Sequence, residues 1–414
     1  MADKLWNRNF TLLVIVQIVA LFGNAILSFA LPLYILRLSG SPALFGTVLA
    51  LSFVPLIIMS PIGGIIADRG RKQRIMFWMD AVTALLIVAY SVASGIVLSV
   101  VPIVVVKLMA LNVMQGIYMP TVMASVPFLV PSDKLVPGNA ITNMVLSLSN
   151  AVGPVIGGIL FSAFGLFPIL AVSFVAFVIA GIIDLFIRVP YERRKARESL
   201  TRIVKTDLTQ CARLAFREKP ILGKIAVTLA LFNIPSMAMI IVSLPVLITQ
   251  TLDMSMRLFG ISQGIMVAGG VLGGVLIGAL EKKLTIGKAH LLLLAGSLFT
   301  APIGLVLLLD PPAFTAYVVI TASSAMIMMA TQMVAIQVMA FVQGETSTEL
   351  VGKIMSVVMV LFICAYPVGQ LLFGVLLERF AEAPWLVMFA AVFMSGTVAV
   401  YSGRHFRGIA TAGR

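Results

Sequence analysis

The chain has 414 residues, 60% of them hydrophobic and only 11% charged; a soluble domain carries about 25% charged residues, so this composition cannot cover a water-facing surface and implies a bilayer as solvent. The formal net charge of +13, from 29 Lys and Arg against 16 Asp and Glu, comes with no basic face interleaved with aromatics, so nucleic acid is not an expected partner. Two isolated cysteines, Cys211 and Cys364, and two histidines, His290 and His405, supply neither a metal spacing nor a nucleophile with its base, so no enzyme is expected.

A spanning helix needs roughly 20 mostly apolar residues. Twelve such runs follow one another: 10–36, 42–67, 75–94, 100–126, 136–163, 166–187, 221–250, 257–280, 288–309, 312–342, 350–377 and 384–402. The first is long and lacks a small-residue cleavage site, so it reads as a span and not as a signal peptide. Gly, Pro or charge marks the breaks, as in SGSP at 39–42, ASGIVLS at 93–99, LVPSDK at 129–134 and LDPP at 309–312.

After the second run comes a knot of charge, Asp68-Arg69-Gly70-Arg71-Lys72-Gln73-Arg74, between stretches with almost none. Bases beside a bilayer set topology. With the N-terminus inside, 25 of the 29 Lys and Arg fall on the cytoplasmic side. Arg37, Arg257 and Arg379 fall outside, and Lys107 is the one base well inside a run.

The chain also repeats. LPLYI at 31–35 returns as LPVLI at 244–248, and LFG at 44–46 returns at 258–260. The sequence therefore predicts an all-α integral membrane protein of 12 transmembrane helices in two pseudo-symmetric six-helix bundles, with both termini cytoplasmic. The bundles are expected at 1–188 and 221–414. Such a duplication places a transport site between the halves. The stretch 189–220 carries Leu200, Ile203, Val204, Leu208, Cys211 and Leu214 at helical spacing among many bases. It is either an amphipathic helix on anionic lipid or a solvated linker helix.

The knot Gly64-Ile65-Ile66-Ala67-Asp68-Arg69-Gly70-Arg71-Lys72 resembles the loop signature of the major facilitator superfamily, Gly-x-x-x-Asp-Arg-x-Gly-Arg-Lys, with Arg71 where the second glycine stands. NRNF at 7–10, ALPLYI at 30–35, VPSDKLVPGNAI at 130–141, FREKPIL at 216–222, GKIMS at 352–356 and YPVGQLLFG at 366–374 are similar to the branch of macrolide-efflux proteins and the enterobactin exporter. The resemblance implies the two-bundle fold and alternating access. It implies a latch in which Asp68 meets the start of span eleven near Gly352 and Lys353, with Arg69, Arg71 and Lys72 pairing to Asp68 and Asp80. The run Gly153-Pro154-Val155-Ile156-Gly157-Gly158 matches the core of an exporter motif. With Gly270 and Gly274 of span eight, it is expected to form smooth faces, either for a rocking interface or for static close packing. Where the family carries an arginine in span four, this chain has Asn112.

Polar residues inside spans face a protein interior or a cavity. The candidates for a substrate cavity are Asn24, Lys107, Asn112, Gln115, Tyr118, Asn143, Asn233, Gln263, Met333, Gln337, Tyr366 and Gln370. Met326, Met329, Met333 and Gln337 make an adaptable stripe in span ten. No acid lies near the middle of a run; Asp80 and Asp184 sit toward cytoplasmic ends, and Asp184 is expected to pair with Arg188.

The function expected is export of amphipathic small molecules, drug- or macrolide-like or a metabolite, across a bacterial cytoplasmic membrane. The carrier is expected to act as a monomer without cofactor, by antiport driven by an ion gradient, that of protons. A lipid carrier of lysophospholipid type or a siderophore carrier of the same fold is the alternative, favoured if Lys107 faces a large lateral opening. A signalling or scaffold protein would need a further domain or a long tail.

Overall fold

The computed structural model describes residues 5–96, 100–190, 220–280, 284–344 and 348–412, with Arg213 and Arg217 between. At 94–96, 100, 348–357, 359, 405 and 407–412 it describes the backbone alone. Among these residues there are 12 helices long and apolar enough to cross a membrane. They are α1 (Arg8–Ser39), α2 (Pro42–Arg69), α3 (Lys72–Ile96), α4 (Val100–Leu129), α5 (Leu135–Phe164) and α6 (Leu166–Asp184). Then come α7 (Pro220–Thr251) and α9 (Ile286–Leu309), with α8 (Met256–Ala279), α10 (Ala313–Gly344), α11 (Thr348–Arg379) and α12 (Pro384–Ala412).

Helices are the outcome that lipid allows, since each backbone N–H and C=O must find its partner within the segment. The breaks fall where the sequence places them. Gly40 and Gly165 take φ of 64° and 75°, a left-handed backbone that only glycine adopts cheaply, and so turn α1 into α2 and α5 into α6. The Gly165 N–H closes the end of α5 on the Phe161 carbonyl at 3.0 Å. Asp310 also turns left-handed (φ 46°) and ends α9 ahead of Pro311 and Pro312. Both copies of the repeat lie in corresponding helices: Pro32 is interior to α1 and Pro245 to α7. Large apolar side chains such as Val136, Phe393 and Val106 point outward, as a lipid-facing surface requires.

The chain divides into two compact units, Met1–Leu38 with Leu51–Val204, and Ser39–Ala50 with Lys205–Arg414. Within the first, α3 packs on α4 and α6. Within the second, α8 packs on α10, and α11 and α12 pack on α7. The linker expected over 189–220 lies largely outside the described residues.

α7 is not uniform. Its helix widens into a π turn at Ile234–Ala238 and again at Leu247–Thr251. Such turns recur at functional sites. Gly369 of α11 meets the first one, where an added Cβ would lie 2.9 Å from the Ile234 carbonyl oxygen.

Candidate functional site

The second unit holds a cavity of about 320 Å³ between α7, α9, α10 and α11. Its wall is apolar and soft, with Phe232, Phe362, Met237, Met328 and Met339, and the polar groups are few: Asn233, Thr331, Gln332 and Tyr366. Asn233 is the last residue before the π turn. Its Nδ2 donates to the Phe362 carbonyl at 3.0 Å. The rings of Phe362 and Tyr366 meet edge to face, 5.7 Å apart, and the Tyr366 hydroxyl lies beside Asn233. Among the described residues, the buried Thr331 hydroxyl has no partner.

Of the cavity residues expected here, Asn233 and Tyr366 therefore line the space. Met333 does not: it is buried in packing. The backbone of Met329 passes Gly273 of α8, and Met329 is not among the residues that line the cavity. The methionines that reach the cavity are Met237, Met328 and Met339. Gln337 is drawn away by donating to the Leu284 carbonyl at 2.6 Å. Gln370 is fully buried with both amide atoms unpartnered, and Gln263 is half-buried on α8; neither lines this cavity.

In the first unit a smaller cavity, about 30 Å³, lies between α1, α3, α4 and α6. Asn24, Asp80, Gln115 and Tyr118 line it. Asn24 Nδ2 donates to Gln115 Oε1 at 2.7 Å. Lys107 shares a helical face with Gln115 and Tyr118 by spacing, at steps of 8 and 3, yet sets its Nζ 4.1 Å over the Tyr90 ring. Asn112 donates to the Leu108 carbonyl of its own helix at 3.1 Å. Asn143, exposed on α5, does likewise to Asn139 at 2.9 Å.

The charged knot is arranged differently from expectation in two places. Asp68 and Arg71 are exposed, and a methyl group at Gly64 would meet nothing, so that end of α2 is open. Lys72 is 7% exposed, with Nζ 4.5 Å over the Phe128 ring. Asp80 is not part of the knot: it lies eight residues further along α3, buried against Asp184 of α6. Nor does Asp184 pair with Arg188. α6 ends at Asp184, the chain turns, and Arg188 is exposed, while both Asp184 oxygens lack a hydrogen-bond donor among the described residues. The side chains of Gly352 and Lys353, named for the latch, lie outside the described residues.

The glycines make close packing inside each unit. A Cβ at Gly157 would lie 3.0 Å from the Phe29 ring of α1, and Gly153 meets Ala25 there. Pro154 is interior to α5 and Gly158 is buried. On α8, Gly269 and Gly273 meet α10 backbone, while Gly270 faces Met328 and Gly274 faces Ile336.

A family model for the Major Facilitator Superfamily matches residues 13–362. The chain belongs to the Major Facilitator Superfamily. It is thus a multi-pass membrane transporter by family and fold. Within the superfamily it is similar to macrolide efflux protein A of Streptococcus pyogenes, 27% identical over 193 residues, which is 45% of this chain and 46% of that protein. The match thus spans under half the length of that relative. Among solved members, the nucleoside transporter NupG superposes with a TM-score of 0.74 at 12% identity, covering 97% of this chain and 100% of that one. A bacterial homologue of the human lysosomal transporter Spinster gives 0.72 at 14% identity, covering 96% of each chain. At such identities the likeness is one of fold.

Proposed function

We propose that this superfamily member exports amphipathic small molecules of macrolide type across a bacterial cytoplasmic membrane, by alternating access and in exchange for protons. The observation that carries the reading is the cavity of about 320 Å³ in the second unit. It falls at the low end of the roughly 300–1,000 Å³ usual for ligand pockets. Aromatic and methionine side chains adapt to varied apolar shapes, and Asn233, Thr331 and Tyr366 provide the few directed polar contacts such ligands need. The likeness to a macrolide efflux protein supports this choice of substrate class. An acidic lipid or siderophore would call for a free cation at the cavity; Lys107, bound to the Tyr90 face, weighs against it. The same reading keeps the termini cytoplasmic and the carrier monomeric, with the basic 189–220 stretch at the lipid surface.

Accumulation of a radiolabelled macrolide in efflux-deficient bacterial cells tests the proposal. Cells with the protein should hold less macrolide than cells without it, and a protonophore should abolish the difference. Equal accumulation, with the protein present in the membrane, would sink the reading.

A further inference from the structure

Two acids stand apart from the other charges of the chain. Asp80 on α3 is 2% exposed and Asp184, the last residue of α6, is 0% exposed. Their side chains meet directly. Gly181, three residues before Asp184 and on the same face, lies against Asp80 at ordinary contact distance. A Cβ at position 181 would lie 3.8 Å from the Asp80 Cβ.

Among the described residues, no cation is seen to contact these acids. Among the described residues, Asp80 Oδ2 and both Asp184 oxygens have no hydrogen-bond donor. Lys72, on the same helix as Asp80, is eight residues off, roughly 12 Å of rise, and covers Phe128. From α4, Lys107 is turned to Tyr90. Arg188 is exposed past the end of α6. α5 carries no titratable residue, and α1 brings Asn24, already bonded to Gln115. Among the described residues, the titratable group facing the pair is Tyr118 of α4, whose buried hydroxyl has no partner there and lies within electrostatic reach of both carboxyls. The cavity of about 30 Å³ that Asp80 and Tyr118 line has room for a water or two.

Two carboxylates side by side in a dry interior suffer both repulsion and desolvation. One proton between them turns the clash into an O–H···O hydrogen bond. We propose that Asp80 and Asp184 form a shared-proton site, and that this proton is the ion exchanged during export. The inference rests on reading the chain as a proton-coupled exporter. Release breaks one carboxyl O–H bond and passes the proton to a water in the cavity. The pair is left with one more negative charge, which favours separation of α3 and α6. Uptake reverses each step.

The test uses the full chain in lipid nanodiscs. Infrared difference spectra across pH steps read the carboxylic C=O stretch, assigned by its shift in D2O. One such band should vanish as pH rises, and it should be missing in Asp80→Asn and in Asp184→Asn. A wild-type band that never titrates, or that persists in both variants, overturns the site. So does a band removed by sodium at constant pH, which would make the pair a sodium site. The wild-type titration stands whether or not either variant folds.

In proteoliposomes, an imposed proton gradient should drive macrolide transport by the wild type and not by either variant, which should retain macrolide exchange at zero gradient. Variants driven as well as the wild type overturn the pair and leave the exporter standing. A wild type whose band titrates but which moves no macrolide overturns the proposed function, and with it the coupling role.

Discussion

The carboxylate of Glu378, at the end of α11, accepts a hydrogen bond from the backbone N–H of Ala43, 3.0 Å away in the first turn of α2. The Ser41 hydroxyl donates to the same oxygen. A carboxylate at a helix start satisfies N–H groups that have no intrahelical partner and meets the positive end of the dipole. Further along, the two helices touch at Gly46 and Gly374, where a Cβ on Gly374 would lie 3.1 Å from the Gly46 Cα. If the start of α2 parts from α11 during alternating access, this contact opens once per cycle. In Ser41→Cys/Glu378→Cys, oxidation should form a disulfide and halt macrolide efflux, and reduction should restore it. Undiminished efflux by the oxidised pair would show that the contact never opens. Glu378→Gln should weaken the cap by about 0.3–1 kcal/mol, seen as slower disulfide formation in Ala43→Cys/Gly374→Cys than with Glu378 intact.

The pairing of α8 with α10 leaves no room for a side chain at Gly273, where a Cβ would stand 3.1 Å from the Met329 Cα and closer still to its carbonyl oxygen. Overpacking of this kind costs about 1–3 kcal/mol. Gly273→Ala should therefore lower the melting temperature in detergent by several degrees. At Gly278 a Cβ meets nothing within 4 Å, so Gly278→Ala should melt like the wild type.

The Asn24–Gln115 bond ties α1 to α4 across 2.7 Å. Interhelical side-chain bonds in membranes are worth about 0.6–2 kcal/mol. Asn24→Leu should destabilise by that order, because it strands the Gln115 amide. Asn24→Leu/Gln115→Leu should recover part of the loss, since no polar group is then left unpaired. Thermal unfolding of the three proteins in one detergent reads the difference.

Met328 lines the large cavity, whereas Met333 is packed away from it. Met328→Ala should reduce macrolide efflux by about tenfold, the scale set by removing apolar contact from a pocket. Met333→Leu should leave efflux unchanged. Initial rates in proteoliposomes, corrected for reconstituted protein, decide between the two positions.

The helices were plain in the sequence because lipid demands one thing of a span, a run of apolar residues of sufficient length. The run expected at 42–67 is α2 at Pro42–Arg69, and that at 384–402 begins α12 at Pro384. Side-chain partners were harder to read. Spacing puts Lys107, Gln115 and Tyr118 on one helical face, yet only the last two line the small cavity: a long lysine swings, and its Nζ lies over Tyr90 of α3. Asp80 and Asp184 looked like members of two separate charge clusters, because sequence gives each residue's height in its own helix and not the helix opposite. The π turn after Asn233 had no signal beyond Pro235.

That turn bears on how α7 can vary. An i→i+5 ring holds one more residue than an α turn, so each wide turn is a one-residue insertion absorbed locally. Without it, every residue beyond would swing by about 100° about the axis, given 3.6 residues per turn. Pro245 and the buried face from Met239 to Val246 would then confront different neighbours. A compensated deletion within Ile234–Ala238 could thus leave both ends of α7 in phase with their surroundings while straightening the stretch that borders Asn233. A membrane helix can thus lose a residue without losing its register, and it does so beside the cavity that Asn233 lines.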